Sequence, residues 1–364
     1  MALVLVLVLG VAIVWSIKFK LNEYAITPGL SQPVGPLITV SDHPHAPERK
    51  TIFLTDVYLT QLNIWQWLAD ELHPVHVEVI PGSELTGGAV PTSELVAQGY
   101  LEMYDSQNSA KVVGMRAVGY HVTGTPAGVT VTAVGTHAPS SQVLSVADRI
   151  VAARGRLVRS VCDLFSAMRG TRPGTGVQLR VEHANITASG TITYDPATTV
   201  TSPTGAAPPG EVATGCPGSP RVTAVLGIAP EDATDWHFPV KVTIDTAYIG
   251  GPSAGLAMTL GVMDALSKVS ITGGTKVAAT GTIDPSGIVG DVGGVAEKTI
   301  AVENAGATVF LVPTVEYSVA KKAASPSLKI VAVRTLGQAL AAIEAAGGTA
   351  PVPIADTTGA GATS

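Results

Sequence analysis

Two glycine-marked turns, and the apolar run that follows the first of them, constrain the fold of this chain more than any other feature. The first turn reads Gly-Pro-Ser-Ala-Gly over residues 251–255, and a mainly apolar run continues from it to Leu266. The second turn, Gly-Gly at 293–294, opens a short helical pattern that ends before Gly306. Because Gly and Pro separate one element from the next, each turn predicts the start of a helix. Strand-like runs lie between and after them, so we expect a mixed α/β domain.

Ser253 lies where the first turn becomes a helix. The first N–H groups of a helix have no partner within it, so the serine hydroxyl would stand beside donors able to hold an oxyanion. A nucleophilic serine needs a base, and no histidine follows Ser253 in the chain. Lys298 lies on the second predicted helix among apolar residues, where burial would lower its pKa toward that of a general base. These residues predict a Ser-Lys pair, and the alternatives are a helix-capping serine and a solvated lysine.

The motifs resemble the proteolytic domain of the Lon peptidases, whose serine lies in a Gly-Pro-Ser-Ala-Gly turn and whose lysine follows a Gly-Gly pair. The resemblance covers about residues 222–345 and includes the Thr-Gly step at 280–281. It implies three catalytic side chains, with a threonine that helps to hold the lysine, and three turn residues around the oxyanion: Ser253, Lys298 and Thr280, and Gly251, Pro252 and Ala254. The chain departs from the ATP-dependent Lon enzymes at Gly250, where they commonly carry an acidic residue. Lon domains resemble ring-forming modules, so a homo-oligomer is also implied.

A second module is predicted at residues 127–185. An alternating run at 128–134, a step at 144–151, a helical stretch at 158–168 and a closing strand at 176–182 resemble the order of a PDZ domain. In that family an extended peptide adds to an open strand edge through main-chain hydrogen bonds. The resemblance implies a peptide-binding edge made of Gly128, Val129, Thr130 and Val131. The alternative is a small domain that only spaces the peptidase from a membrane.

The N-terminal residues 2–17 are almost uniformly apolar and are followed by Lys18 and Lys20. A helix of this length comes close to the ~30 Å of a bilayer core, so we predict an uncleaved transmembrane anchor, with a cleaved signal peptide as the first alternative and a buried core helix as the second. Bacterial membrane-anchored proteins that join PDZ and Lon domains carry a similar Tyr-x-x-x-Pro-Gly step, found here at residues 24–29. The expected location is the cell membrane, crossed once, with the domains on its extracytoplasmic side.

Composition argues against several classes of function. The net charge is −6 and no basic run occurs, which argues against nucleic-acid binding. The chain contains no Gly-x-x-x-x-Gly-Lys-Ser/Thr loop, so we expect no ATP. Cys162 and Cys216 form no metal motif, and whether they form one disulfide is left open. The histidines at 43, 45, 73 and 76 stand in segments broken by proline, so we predict surface loops, no metal site and no cofactor.

The predicted fold class is α+β, with an N-terminal transmembrane helix, a PDZ-like domain and a mixed α/β Lon proteolytic domain. In chain order the predicted parts are a transmembrane anchor at 1–20, a juxtamembrane α/β region at 21–126, a PDZ-like domain at 127–185, a linker at 186–221, a Lon-type peptidase domain at 222–346 and a disordered tail at 347–364. The predicted function is an ATP-independent, membrane-anchored serine endopeptidase acting on protein or peptide substrates. A non-catalytic membrane scaffold that binds protein tails is the alternative.

Overall fold

A computed structural model gives the fold and describes residues 16–41, 51–72, 78–82, 92–187, 190–208, 212–213, 215–218 and 221–352. The strands in these ranges are β1 (Lys20–Pro33), β2 (Ile38–Val40), β3 (Ile52–Asn63), β4 (Glu78–Pro81), β5 (Thr123–Val134), β6 (Arg149–Ala153), β7 (Arg156–Leu157), β8 (Val177–Glu182), β9 (Ala184–Ile186), β10 (Ile192–Tyr194), β11 (Thr198–Ser202), β12 (Gly205–Ala206), β13 (Ala224–Val225), β14 (Ile228–His237), β15 (Val242–Ile244), β16 (Val277–Ala279), β17 (Thr282–Ile283), β18 (Val289–Gly290), β19 (Val309–Pro313) and β20 (Lys329–Val333). The α-helices are α1 (Ile64–Leu72), α2 (Thr92–Ala117), α3 (Val161–Met168), α4 (Gly255–Ala265), α5 (Val295–Asn304), α6 (Tyr317–Ala323) and α7 (Leu336–Glu344). Short 3-10 turns occupy Gly35–Leu37 and Thr314–Glu316.

The predicted transmembrane helix is the part of the fold class that the structure contradicts. In the described part of the chain, no helix has both the length and the apolar character needed to cross a membrane. Residues 1–15 of the predicted anchor lie outside the described residues, and its last residues form a helical turn at 16–18 followed by β1, which starts at Lys20. Lys20 pairs with Asn63 of β3, so the main chain there is bonded in a sheet. The single-pass membrane location is therefore corrected as well.

The chain divides into two compact units that do not follow its linear order. The first unit comprises Met1–Ala89 and Ser253–Ala355, and the second comprises Val90–Pro252 and Asp356–Ser364. The N-terminal strands thus pack with the last third of the chain. The six consecutive parts predicted from the sequence remain a prediction about sequence modules. Their bounds differ from those of the two compact units.

The first unit is built on a mixed six-stranded sheet of order β20-β19-β16-β3-β1-β4. The strands from β20 to β3 run parallel, whereas β1 runs antiparallel to both β3 and β4. Strand β19 is buried along its whole length, as expected for a strand inside a parallel sheet. Helix α4 has four large side chains without exposed surface, so it is a buried helix rather than an amphipathic surface helix: Leu256, Met258, Leu260 and Met263.

The second unit contains an antiparallel sheet of order β11-β8-β6-β5-β14, with β7 paired to β6. Its core combines alternate residues of the strands with the buried face of α3. Helix α3 starts at a capping residue, since the Ser160 side chain accepts a hydrogen bond from the Asp163 N–H. Cys162 on this helix forms a disulfide with Cys216, which answers the question that the sequence left open.

Candidate active site

Ser253 stands two residues before α4 begins, and it does not cap that helix. The residue at the capping position is Ala254, which offers no side-chain hydrogen bond, and Gly255 is the first helical residue. The preceding Gly251 has φ +84°, a left-handed conformation that favours glycine, and this turn brings the chain to the serine. None of the described residues forms a hydrogen bond with Ser253 Oγ. The hydroxyl is therefore not committed to a structural role.

The main-chain N–H groups around this turn are not equally available to an oxyanion. Pro252 has no N–H, and the N–H of Gly251 donates to the Gly99 carbonyl at 2.8 Å. The N–H of Leu256 donates to Gly281 at 3.1 Å. The N–H of Ala254 has no hydrogen-bond partner among the described residues, although Ala254 is buried. Of the predicted turn residues, Ala254 is thus the donor that a substrate oxyanion could use.

Thr280 is fully buried and contacts the main chain of the serine. Its hydroxyl donates to the Ser253 carbonyl at 3.2 Å, and the N–H of Gly281 donates to the same oxygen at 2.9 Å. The N–H of Thr280 donates in turn to Leu311 of β19 at 3.0 Å. The serine is therefore tied to the central sheet of the first unit. A hydroxyl that donates one hydrogen bond can still accept others, so the predicted contact with a lysine remains chemically open.

Lys298 lies on α5 and is 2% exposed. Burial lowers the pKa of Lys298 to about 8, and the negative charges of Asp56, Glu316 and Glu297 oppose part of that shift, in this order. A lysine with a pKa near 8 has a substantial neutral fraction close to physiological pH, as a general base requires. The sequence pattern correctly placed this lysine among apolar residues on a helix.

Two acidic residues near Lys298 were missed by reasoning from the sequence. Asp56 lies on β3, more than two hundred residues before the lysine, and Glu316 ends the 3-10 turn before α6. No local motif connects either acid with Lys298. Asp56 could have been found only by predicting that the N-terminal strands pair with the rest of the first unit. The Glu316 carboxylate also accepts a hydrogen bond from the Val292 N–H at 3.1 Å.

The residues predicted to bind a peptide lie inside a sheet. Gly128 to Val131 belong to β5, where Gly128 pairs with Ala233 and Val131 with Pro230 of β14. On the other side, Val129 and Thr130 pair with Ile150 and Arg149 of β6. Strand β14 is held further by its own side chains, because Asp232 accepts a hydrogen bond from the Val161 N–H at 2.6 Å and Asp235 contacts Arg149 at 3.1 Å. Both neighbours of this part of β5 are thus strands of the same chain.

Within the ranges that the structure describes, no group of three or more His, Cys, Asp or Glu residues is arranged to hold a metal ion. The histidines at 43, 45, 73 and 76, predicted to lie in loops, are outside the described residues. The candidate catalytic groups described above are a hydroxyl, an amine and a main-chain donor.

Comparisons with known proteins agree with this chemistry. Residues 222–343 match the family model of the Lon protease (S16) C-terminal proteolytic domain. Lon protease 2 of Bacillus subtilis (strain 168) is 35% identical over 121 residues, which are 33% of this chain and 20% of that protein. The Lon protease of Clostridioides difficile (strain 630) is 48% identical over 63 residues, 17% of this chain and 8% of that protein. The chain thus spans a fifth or less of the length of these two relatives.

Among solved structures, the PDZ domain of an SdrC-like protein from Listeria monocytogenes is 19% identical, with a TM-score of 0.21 over 28% of this chain and 86% of that one.

The match to the Lon model confirms the resemblance that the Gly-Pro-Ser-Ala-Gly and Gly-Gly motifs predicted. Residues 222–343, which include Ser253, Thr280 and Lys298, are therefore similar to the Lon protease (S16) C-terminal proteolytic domain.

Proposed function

We propose that this protein is a serine endopeptidase in which Ser253 is the nucleophile and Lys298 the general base. The proposal rests on the hydrogen bonding of the serine and the burial of the lysine, both of which lie in the segment that matches the Lon proteolytic domain. The serine hydroxyl has no structural hydrogen bond to a described residue, and the lysine is buried with a pKa lowered to about 8. A buried lysine is unusual for its residue type, and an uncommitted hydroxyl and a lysine of lowered pKa are what a Ser-Lys mechanism requires.

The reaction would proceed through an ester on the serine. Neutral Lys298 accepts the proton of Ser253 Oγ while Oγ bonds to the substrate carbonyl carbon. The carbonyl oxygen takes the electron pair and becomes an oxyanion, for which the Ala254 N–H is the available donor. The Lys298 ammonium then gives its proton to the leaving amine as the C–N bond breaks. Water then bonds to the ester carbon while losing a proton to Lys298, the C–O bond to Ser253 Oγ breaks, and Lys298 returns the proton to Oγ.

Proteolysis is proposed to need no ATP. The sequence contains no Gly-x-x-x-x-Gly-Lys-Ser/Thr loop that would cradle nucleotide phosphates. Without a motor to unfold a substrate, the site would cleave segments that are already extended. Unfolded casein should therefore be cleaved in buffer without nucleotide, and added ATP should leave the rate unchanged. A strict requirement for ATP would contradict this part of the proposal.

Active-site labelling tests the assignment of the nucleophile. A fluorophosphonate probe should label the parent protein at Ser253, and Ser253→Ala and Lys298→Ala should lose both labelling and casein cleavage while keeping the parent circular dichroism spectrum. If either folded variant still cleaves casein at the parent rate, the mechanism is wrong. If the parent neither cleaves nor takes up the probe, the predicted alternative, a non-catalytic scaffold, becomes the better description.

The predicted peptide binding at Gly128 to Val131 would require a free edge on this part of β5. Strand addition needs unpaired main-chain groups, and the pairing of β5 with both β14 and β6 uses the two edges of this segment. A peptide could bind there in the predicted way only if β14 leaves β5. The endopeptidase proposal does not depend on that event.

A further inference from the structure

The surroundings of Lys298 contain three carboxylates from three parts of the first unit. Glu297 precedes the lysine on α5, Glu316 lies in the 3-10 turn before α6, and Asp56 lies on β3. Asp56 differs from the other two because it lies outside residues 222–343, the segment that matches the Lon proteolytic domain. It also exerts the largest of the three charge effects on the lysine.

We propose that Asp56 is a positioning residue for Lys298, whose carboxylate stabilises the ammonium that forms when the lysine takes the proton of Ser253. The inference rests on the proposed function. It adds that the N-terminal strands of this chain, which the Lon match does not include, supply part of the environment of the general base.

Packing between α5 and the N-terminal strands sets the helix that carries Lys298 against the strand that carries Asp56. Helix α5 begins after Gly294, and a Cβ on Gly294 would lie 3.0 Å from Val57 Cγ1 and 3.1 Å from Ile26 Cγ2. Val57 follows Asp56 in β3, and Lys298 lies one helical turn after Gly294, to which its N–H donates at 2.9 Å. The start of the lysine-bearing turn therefore rests directly on the strand that carries Asp56.

An irregularity in the β1–β3 ladder fixes the Asp56 carboxylate. Pro28 pairs with Val57 and Ser31 pairs with Thr55, so two residues of β1 stand opposite the single residue Asp56. Such bulges redirect a side chain and are common beside functional sites. The N–H of Leu30, one of the two β1 residues opposite Asp56, donates to Asp56 Oδ1 at 2.6 Å. The carboxylate is thereby held in one orientation by the main chain.

The negative charge of Asp56 and the positive charge of Lys298 each favour the ionised form of the other residue. Burial raises the pKa of Asp56 above its ordinary value, while the Leu30 N–H and the positive charge of Lys298 oppose the rise. The carboxylate conversely favours the ammonium form of Lys298, against the effect of burial. Removing the charge of Asp56 should therefore lower the pKa of the lysine further, and an amine of lower pKa accepts the serine proton less readily.

Asp56→Asn is the informative variant because the amide oxygen can still accept the Leu30 hydrogen bond while the charge is lost. The Lys298 pKa is measured by NMR of 13Cε-labelled lysine, and the pH profile of casein cleavage is recorded beside it. We expect the NMR pKa and the ascending limb of the profile to move to lower pH by about one unit, with kcat reduced and KM unchanged. Asp56→Glu, which restores the charge, should return the lysine pKa toward the parent value.

Glu344→Gln is the matched control, because it removes one negative charge from the exposed end of α7 and should change neither measurement. An unchanged lysine pKa in folded Asp56→Asn would overturn the proposal and leave the endopeptidase assignment intact. A parent protein without activity would instead contradict the proposed function, and the NMR titration would still decide whether Asp56 acts on Lys298.

Discussion

The hydroxyl of Thr280 donates a hydrogen bond of 3.2 Å to the main-chain carbonyl of Ser253. This contact joins the residue after β16 to a residue two positions before the buried helix α4. The Lon resemblance implied a threonine that acts on the lysine, whereas the observed donor contact acts on the backbone of the serine. Thr280 can serve both residues, because its oxygen keeps acceptor capacity after it donates.

Thr280→Val should lower the cleavage rate by roughly 10- to 100-fold, because a nucleophile that shifts slightly loses its alignment with the base and the substrate. Valine keeps the volume of the side chain and removes only the hydroxyl, so a destabilisation of about 1 kcal/mol is expected from the lost buried hydrogen bond. Steady-state kinetics and thermal melting measure the two effects separately.

Thr308→Val is the control for that variant, since the Thr308 hydroxyl makes the same kind of bond, 3.3 Å to the Lys276 carbonyl, at an exposed position. The control should cleave casein at the parent rate. Equal rates for Thr280→Val and Thr308→Val would show that the contact with Ser253 has no part in catalysis.

Ser253→Ala should reduce cleavage by at least about 10³-fold while leaving thermal stability unchanged within a few tenths of a kcal/mol. The second expectation is the more specific one, because Ser253 Oγ bonds to no described residue and does not cap α4. Ser318→Ala on the exposed face of α6 is a control with the same atomic change. A clear loss of stability in Ser253→Ala alone would favour the structural interpretation of the serine.

Local sequence pattern was sufficient to predict the helices and strands around Ser253 and Lys298. The apolar run after Ser253 predicted α4, the Gly-Gly turn predicted α5, and the strand-like runs before Thr280 and after Gly306 correspond to β16 and β19. These elements are specified by periodicity and by turn residues that lie next to them in the chain, so a single sequence is enough to locate them.

The pairing of strands that are distant in the chain could not be predicted from local sequence pattern. Strand β3, which carries Asp56, joins the sheet beside β16, which lies more than two hundred residues later in the chain. Strand β14 pairs with β5 across about a hundred residues and takes the edge that the PDZ resemblance left open. The alternation of residues in a strand predicts which face is buried. It does not predict which other strand pairs with it, because that pairing depends on the packing of the whole unit.

Lys298→Met should stabilise the protein at neutral pH while abolishing cleavage. Burial holds the pKa of Lys298 at about 8 in the folded state, below its ordinary value of 10.5. Below pH 8 the folded state therefore carries the full cost of a buried ammonium, and this cost disappears as the pH rises through both values. Methionine has no such cost, so the gain should be on the order of 2–3 kcal/mol at pH 7 and much smaller near pH 10.

Denaturant unfolding at pH 7 and near pH 10 measures that gain. Lys322→Met, at an exposed position of α6, should leave stability nearly unchanged at both pH values. A stability difference between Lys298→Met and the parent that does not depend on pH would mean that Lys298 is not a buried titrating group in the folded protein.

Asp232→Ala should loosen β14 from the second unit. The Asp232 carboxylate accepts a hydrogen bond from the Val161 N–H at 2.6 Å, at the start of α3, so its loss should cost about 1 kcal/mol and increase hydrogen exchange across Ile228–His237. A fluorescent peptide with the sequence of residues 228–237 should then bind the variant more tightly than the parent, because the edge of β5 is open more of the time. Glu231→Ala changes the exposed neighbour and should leave exchange and peptide affinity unchanged. Equal, tight peptide binding by the parent and by Asp232→Ala would mean that the peptide binds elsewhere and that β14 does not control access to β5.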